Sequence, residues 1–353
     1  MPTPSAADDR LAATYRRYAG GRTSPLQASL AVAVSGSGAA LRALAALPAR
    51  RRGPACVLAA LHYLALTGRD PELAAAFASG DAAAAGERAV QALASSAETL
   101  AEVLATRGAP VAEPRPFGVL YPAIATAARL AGAEAVQLVQ VGSPTGLATL
   151  VDRVRVAYVN GPLLGDPASP VTARCRLVGE RPVPTEPFPQ VLGRVAVHGE
   201  PIDLASADAV TWLRASLAPD DAEGLARLDA ELALVAATPP RTVRGDVLTA
   251  LPAVLHAVPT GVLPVVFTTW AVSQLDAEGR ARFVQVLDMM AVDGPVAWVS
   301  VEGVGVAPGV PTLGDRPASG HSIVGSSLFG LRPRTVAVGR CWQRGARMEW
   351  LGT

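Results

Sequence analysis

The stretch from Glu134 to Tyr158, EAVQLVQVGSPTGLATLVDRVRVAY, limits what this chain can become more than any other. Residues 135–141 make a short, mostly apolar run, Ala-Val-Gln-Leu-Val-Gln-Val, the pattern of a buried strand. The run breaks at Gly142-Ser143-Pro144-Thr145-Gly146, and Leu147, Leu150 and Val151 then follow at helical spacing. A strand, a tight glycine turn and a helix N-terminus are the parts of a nucleotide-binding corner. Free N–H groups and the positive end of the helix dipole would hold an anion there, or let a cofactor approach the backbone. The same pattern also occurs in strand-to-helix turns that bind nothing.

The rest of the chain divides around that corner. Residues up to about 107 carry no strand pattern and predict an all-helical N-terminal lobe, placed at 1–110. Its helices begin near Leu11, at Ser24-Pro25, after Ser35-Gly36-Ser37-Gly38 and after Arg50-Arg51-Arg52-Gly53-Pro54, with two more in 70–107 around Gly80. A proline-rich joint at 110–116 leads into an α/β domain over 111–353. That domain opens with a helix at 118–131 and the strand at 135–141. Extended pieces are expected at 153–158, 173–178 and 191–198, with 160–170 as a loop. Helices follow at 207–217 and 220–236, then a short extended piece at 241–245. Helix and strand alternate through 247–257, 262–268, 276–290 and 296–301. A Gly/Pro/Ser-rich loop is expected over 303–326, and pieces at 327–331, 334–341 and 346–350 would close the chain as an antiparallel edge. Regular alternation argues for a mostly parallel sheet with helices on both faces, the plan of a class I methyltransferase-like (Rossmann-like) core.

Composition removes whole classes of function. The 353 residues are 50% hydrophobic, enough for a large core, and the formal charge is +1, no electrostatic footprint for nucleic acid or an anionic membrane. All 31 basic residues are arginine. Schiff-base chemistry, lysine-anchored pyridoxal phosphate and the P-loop lysine are therefore excluded. Cys56, Cys175 and Cys341 are odd in number and widely spaced, which suits neither a disulfide framework nor a metal knuckle. With a polar start and no run of about eighteen apolar residues, the expectation is a soluble cytoplasmic protein with no membrane partner.

Candidate functional residues gather at strand ends and in one helix. Glu302 and the Thr268-Thr269 pair end strands at the edge where open α/β sheets bind ligands, and are preferred to His198, His256 and His321. Asp203 follows the strand at 191–198, where it is either a surface turn or the acid that holds a ribose. Asp152 and Arg153 form an ion pair or line the pocket. His62 and Tyr63 sit mid-helix in an apolar run, either buried and satisfied or held above the turn as base and binder. No Cys/His/Asp/Glu grouping has metal-ligand spacing, and Gly142-Ser143 does not continue as Gly-x-Ser-x-Gly.

Several segments, taken in order, resemble one family. They are Leu58-Ala59-Ala60-Leu61-His62-Tyr63-Leu64, the strand and turn at 138–158 with Asp152-Arg153, and Trp212-Leu213-Arg214-Ala215. Arg227-Leu228-Asp229, Pro239-Pro240, Arg244-Gly245-Asp246, Trp298-Val299-Ser300-Val301-Glu302-Gly303 and Glu349-Trp350-Leu351 complete the set. The chain resembles the family catalogued as domain of unknown function 2332, a helical lobe on a class I S-adenosylmethionine (SAM) methyltransferase-like core. Members usually carry a glutamate ahead of the glycine turn, where this chain has Gln140, and small residues where it has Pro144. Upstream they show an Asn-Glu pair and an arginine; Ala112-Glu113-Pro114-Arg115 keeps the glutamate and loses the asparagine.

The resemblance extends to proteins that close aziridine rings by eliminating sulfate in natural-product pathways. It implies an amino-acid-like amine substrate on an amino-group carrier protein, a small helper subunit, and no cofactor. In that reading Gln140, Gly142, Ser143, Thr145, Gly146, Tyr63 and Arg153 bind substrate or departing sulfate, and His62, Asp152 or Glu302 is the base. The alternatives are a SAM-dependent small-molecule methyltransferase, with Asp203 on the ribose, and a scaffold without catalysis.

Overall fold

A computed structural model describes residues 6–21, 24–111 and 113–352. In chain order the helices begin with α1 (Ala6–Gly20), α2 (Pro25–Gly36), α3 (Gly38–Ala45), α4 (Pro54–Leu66), α5 (Pro71–Ala78), α6 (Ala82–Ser95), α7 (Ala97–Thr106) and α8 (Phe117–Ala131). Strands β1 (Ala135–Val141), β2 (Arg155–Val159), β3 (Leu163–Gly165), β4 (Thr172–Val178) and β5 (Gln190–His198) follow. Next come α9 (Ala207–Ala215), α10 (Ala222–Ala237), β6 (Arg241–Arg244), α11 (Val247–His256), β7 (Leu263–Thr269), α12 (Ala277–Met290) and β8 (Val296–Gly303). Strands β9 (Ser322–Phe329), β10 (Arg334–Trp342) and β11 (Arg347–Trp350) end the series.

Two compact units divide the chain. The described part of Met1–Ala112 with Asp203–Asp229 forms one, and Glu113–Ile202 with the described part of Ala230–Thr353 the other. The first unit thus gains α9 and the start of α10, which the sequence reading assigned to the α/β domain.

Within the helical unit, short polar caps start the helices. Ser24 Oγ accepts from Gln27 N at 3.0 Å with Pro25 in the first turn, and Ser37 Oγ accepts from Ala40 N at 3.2 Å. Asp70 caps α5 through Leu73 N at 2.9 Å, and Asp81 caps α6 through Ala83 N and Ala84 N. Three helices, not the expected two, fill 70–107, because Ser96 interrupts the alanine-rich run between α6 and α7. Helix α4 is buried on nearly every face from Val57 to Ala65 and forms the centre of this unit's core. Among the described residues no single helix is long and apolar enough to cross a membrane.

The other unit is one eleven-stranded sheet in the order β3-β2-β4-β11-β10-β9-β8-β7-β1-β5-β6. Strands β6, β5, β1, β7 and β8 run parallel to one another. Numbered among themselves they lie in the order 3-2-1-4-5, the doubly wound arrangement, whose chain reversal falls between β1 and β7. Antiparallel strands β9, β10 and β11 are present near the C-terminus as expected, and the sheet continues beyond them through β4, β2 and β3. Alternation along β1 sends Val139 and Val141 into an apolar cluster with Leu251 and Leu255 of α11 and Phe283 and Leu287 of α12. Leu138 and Gln140 therefore face the opposite side.

Two loops are shorter than the sequence suggests. The expected loop at 160–170 contains β3, and the long loop after β8 ends at His321, with β9 already running from Ser322.

Candidate functional site

At the C-terminal end of β1 the chain must turn beneath other backbone. Gly142 has φ 80°, and a Cβ there would lie 2.4 Å from Ala271 Cβ in the loop after β7. Gly146 has φ 68°, and its Cβ would lie 2.9 Å from Ala196 Cβ of β5. Only glycine meets both demands. Three donors of the turn are spent inside the protein. Gly142 N donates to Val197 C=O at 3.0 Å, Gly146 N to Ser143 Oγ at 3.0 Å and Leu147 N to Thr145 Oγ1 at 3.2 Å. Pro144 has no N–H to give.

No α-helix follows the turn. Leu147–Leu150 is a single 3₁₀ turn, and β2 starts at Arg155. The expected helix N-terminus with its dipole is therefore absent from this corner. Leu147, Ala148, Leu150, Val151 and Val154 are all fully buried. Their apolar spacing reports a segment covered on every side, which periodicity does not separate from a helix face.

A carboxylate lies where the sequence suggested room for a bound anion. Half-buried Glu113 accepts from Gln140 Nε2 at 3.1 Å and from the hydroxyls of Ser143 and Thr145, two more charge-assisted bonds. The residues expected to hold a sulfate, Gln140, Gly142, Ser143, Thr145 and Gly146, are thus brought together, but around the protein's own acid. Glu113 is held in turn by Arg115, whose Nη1 donates to Glu113 C=O at 2.9 Å. Arg115 Nη2 stands 2.7 Å from Glu231 Oε2, an ion pair whose N–H is not aligned for a hydrogen bond; Glu231 is fully buried.

Glu302, at the end of β8, is buried against the loop that touches Gly142. Its carboxylate accepts from Ala271 N at 3.0 Å, Val272 N at 3.1 Å and Ser273 N at 3.4 Å. Burial pushes its pKa up from 4.5 to about 6, against those N–H bonds and the Thr268 hydroxyl, which favour the charged form. Thr268 Oγ1 also accepts from Trp298 Nε1 at 3.2 Å.

The remaining expected site residues are engaged elsewhere. Asp152 takes two bonds of 2.7 Å from Arg194, a bidentate pair, while half-exposed Arg153 stands 3.7 Å away. In the helical unit, His62 is buried with Nδ1 3.0 Å from Leu217 C=O and its ring edge-on to Phe77. Burial lowers its pKa, while the carbonyls of Leu217 and Ala215 act the other way. Tyr63 donates its hydroxyl to Asp208 and accepts from Arg107 Nη2 at 2.7 Å, with the guanidinium 4.7 Å above its ring. Burial is the first cause of its raised pKa, followed by the bond to Asp208. Asp203 is exposed and closes a local turn through Ala205 N at 3.0 Å.

Sequence reasoning noted Glu113 and Arg115 only as parts of a family segment and passed over Glu231 and Arg194. A Glu-Pro-Arg triplet in a proline-stiffened segment was the available signal, since rigid backbone holds charged side chains in place. Among the described residues no group of His, Cys, Asp and Glu is arranged to hold a metal ion.

Fold and site together define a Rossmann-like α/β protein with an added helical unit and a carboxylate-filled turn at the sheet's switch point. The chain belongs to the family described as "Uncharacterized protein conserved in bacteria (DUF2332)", whose profile matches residues 12–350. No curated protein and no solved structure matches it.

Proposed function

We propose that this protein is a SAM-independent enzyme that closes an amine onto a neighbouring carbon of an amino-acid-like substrate and expels sulfate, giving an aziridine. The observation that carries this reading is the Glu113 carboxylate seated in the glycine turn. A SAM molecule would bring a carboxylate as well as an ammonium in its amino-acid tail, and the turn disfavours the carboxylate. Glu113 repels that carboxylate, and the N–H groups of Gly142, Gly146 and Leu147 are already used. An amine suits the same place, because a fixed carboxylate attracts a cation and accepts its proton.

The balance of the step is simple. The nitrogen lone pair forms the new C–N bond, the C–O bond to the sulfate ester breaks, and sulfate leaves with the electron pair. The substrate binds as an ammonium, so one proton passes to Glu113 first to free that lone pair, and the ring forms as the protonated aziridine. Orientation of amine and carbon supplies much of the rate, as for other intramolecular displacements. In this proposal the substrate reaches the site on an amino-group carrier protein, with a small helper subunit alongside.

Incubation with a vicinal amino sulfate ester tests the reading, with sulfate release followed by ion chromatography and ring closure by mass spectrometry. Glu113→Gln is expected to slow sulfate release by about 10²- to 10⁴-fold, the usual worth of a positioned base. Sulfate release that is undiminished in Glu113→Gln would overturn it.

A further inference from the structure

The hydrogen bonds around Glu113 leave an imbalance. Ser143 Oγ gives its proton to Glu113 and accepts from Gly146 N; Thr145 Oγ1 gives its proton to Glu113 and accepts from Leu147 N. Both hydroxyls are used in both directions. Gln140 Nε2 donates to Glu113, which also fixes the orientation of the amide, since the reversed form would set oxygen against oxygen. The same amide's Oε1 has no partner among the described residues, although Gln140 is only 1% exposed. A buried acceptor left without a donor is costly, and its position beside a carboxylate points to a ligand or water that donates. Arg115 Nε is also without a partner, but that guanidinium is already held between Glu113 C=O and Glu231. Among the side chains at the turn, acceptor capacity remains open: lone pairs of Glu113 and Oε1 of Gln140.

We propose that Glu113 and Gln140 together form a seat for a primary ammonium group, one N–H to the carboxylate and a second to the Gln140 carbonyl, which selects primary amines over fully alkylated ones. This rests on the reading of the site as one that takes an amine, and deepens it by naming the amine's class. A quaternary ammonium keeps the charge but has no N–H for Gln140 or Glu113, and an anion meets Glu113.

Calorimetry on the full chain with three probes tests the seat: 2-aminoethyl sulfate, its N,N,N-trimethyl counterpart, and inorganic sulfate. The primary amine is expected to bind about tenfold or more tightly than the trimethyl compound, which loses both N–H bonds, to Glu113 and to Gln140. Sulfate alone is expected neither to bind nor to compete. Gln140→Met should weaken the primary amine alone and narrow the gap between the two cations. If that variant melts far below the parent protein, the three-probe comparison on the parent decides by itself. Equal binding of both cations, displacement by sulfate, or no binding by the primary amine would overturn the seat. Selective binding without sulfate release sinks the elimination chemistry and leaves the seat standing, and sulfate release without selectivity does the reverse.

Discussion

Glu302 should make acid stabilise this protein locally, against the usual trend. Its pKa rises from 4.5 to about 6 on folding, because burial outweighs three backbone N–H bonds. A raised carboxyl pKa means that the folded state binds the proton more tightly than the unfolded chain. The stabilisation is fully present below 4.5 and is lost as pH climbs through about 6. A shift of that size corresponds to about 2 kcal/mol between the two ends of the window. Glu302→Gln removes the titrating group while keeping its shape. Urea unfolding of both proteins at pH 7, 5.5 and 4 isolates the effect, since every other carboxylate titrates in both. The parent is expected to gain about 2 kcal/mol on the variant between the first and last pH. A difference that stays flat, or moves toward the variant, would mean that the N–H bonds of Ala271, Val272 and Ser273 prevail over burial.

Three further outcomes test the site's construction. Gln140→Glu sets a second carboxylate about 3 Å from Glu113 in place of a donor, so urea unfolding at pH 7 should show a loss of about 2–3 kcal/mol, shrinking on acidification as the pair shares a proton. Gly142→Ala pushes a methyl to 2.4 Å from Ala271 Cβ at a φ of 80° and should cost about 2–4 kcal/mol in the same assay. Arg115→Met leaves Glu231 buried without its cation, for an expected loss of about 3–5 kcal/mol, and should lower amine binding as Glu113 loses its anchor.

Buried strands were the most legible part of the molecule. β1, β7 and β8 are covered on both faces, so their residues form nearly unbroken apolar runs bounded by glycine and proline. β9 hides its first half because it is built from small residues. A Cβ at Gly325 would lie 2.5 Å from Ser300 Oγ, so close packing against β8 selects glycine where a strand pattern leads one to expect a branched side chain. The glycines of the turn were equally legible, while their contents were not. Glu113 reaches Gln140 and Thr145 across 27 and 32 residues from a segment with no periodicity, a contact that only the folded path creates. Asp152 and Arg194, 42 residues apart, escape a local reading for the same reason.

One short strand has a consequence for how the molecule is assembled. β11 lies between β10 and β4, with Arg347 opposite Arg176, Met348 opposite Leu177 and Glu349 opposite Val178. Of the sheet's hydrogen-bonded ladders among the described residues, this is the only one joining β4, β2 and β3 to the other strands. α8 is a further tie, with Tyr158 of β2 donating to Gly118 C=O. A ribosome delivers β11 after all ten other strands. Until then the three-strand block waits with an unpaired edge on β4, packed against α8, and such an edge is open to the wrong neighbour. The last strand made is the stitch that turns two ribbons into one sheet.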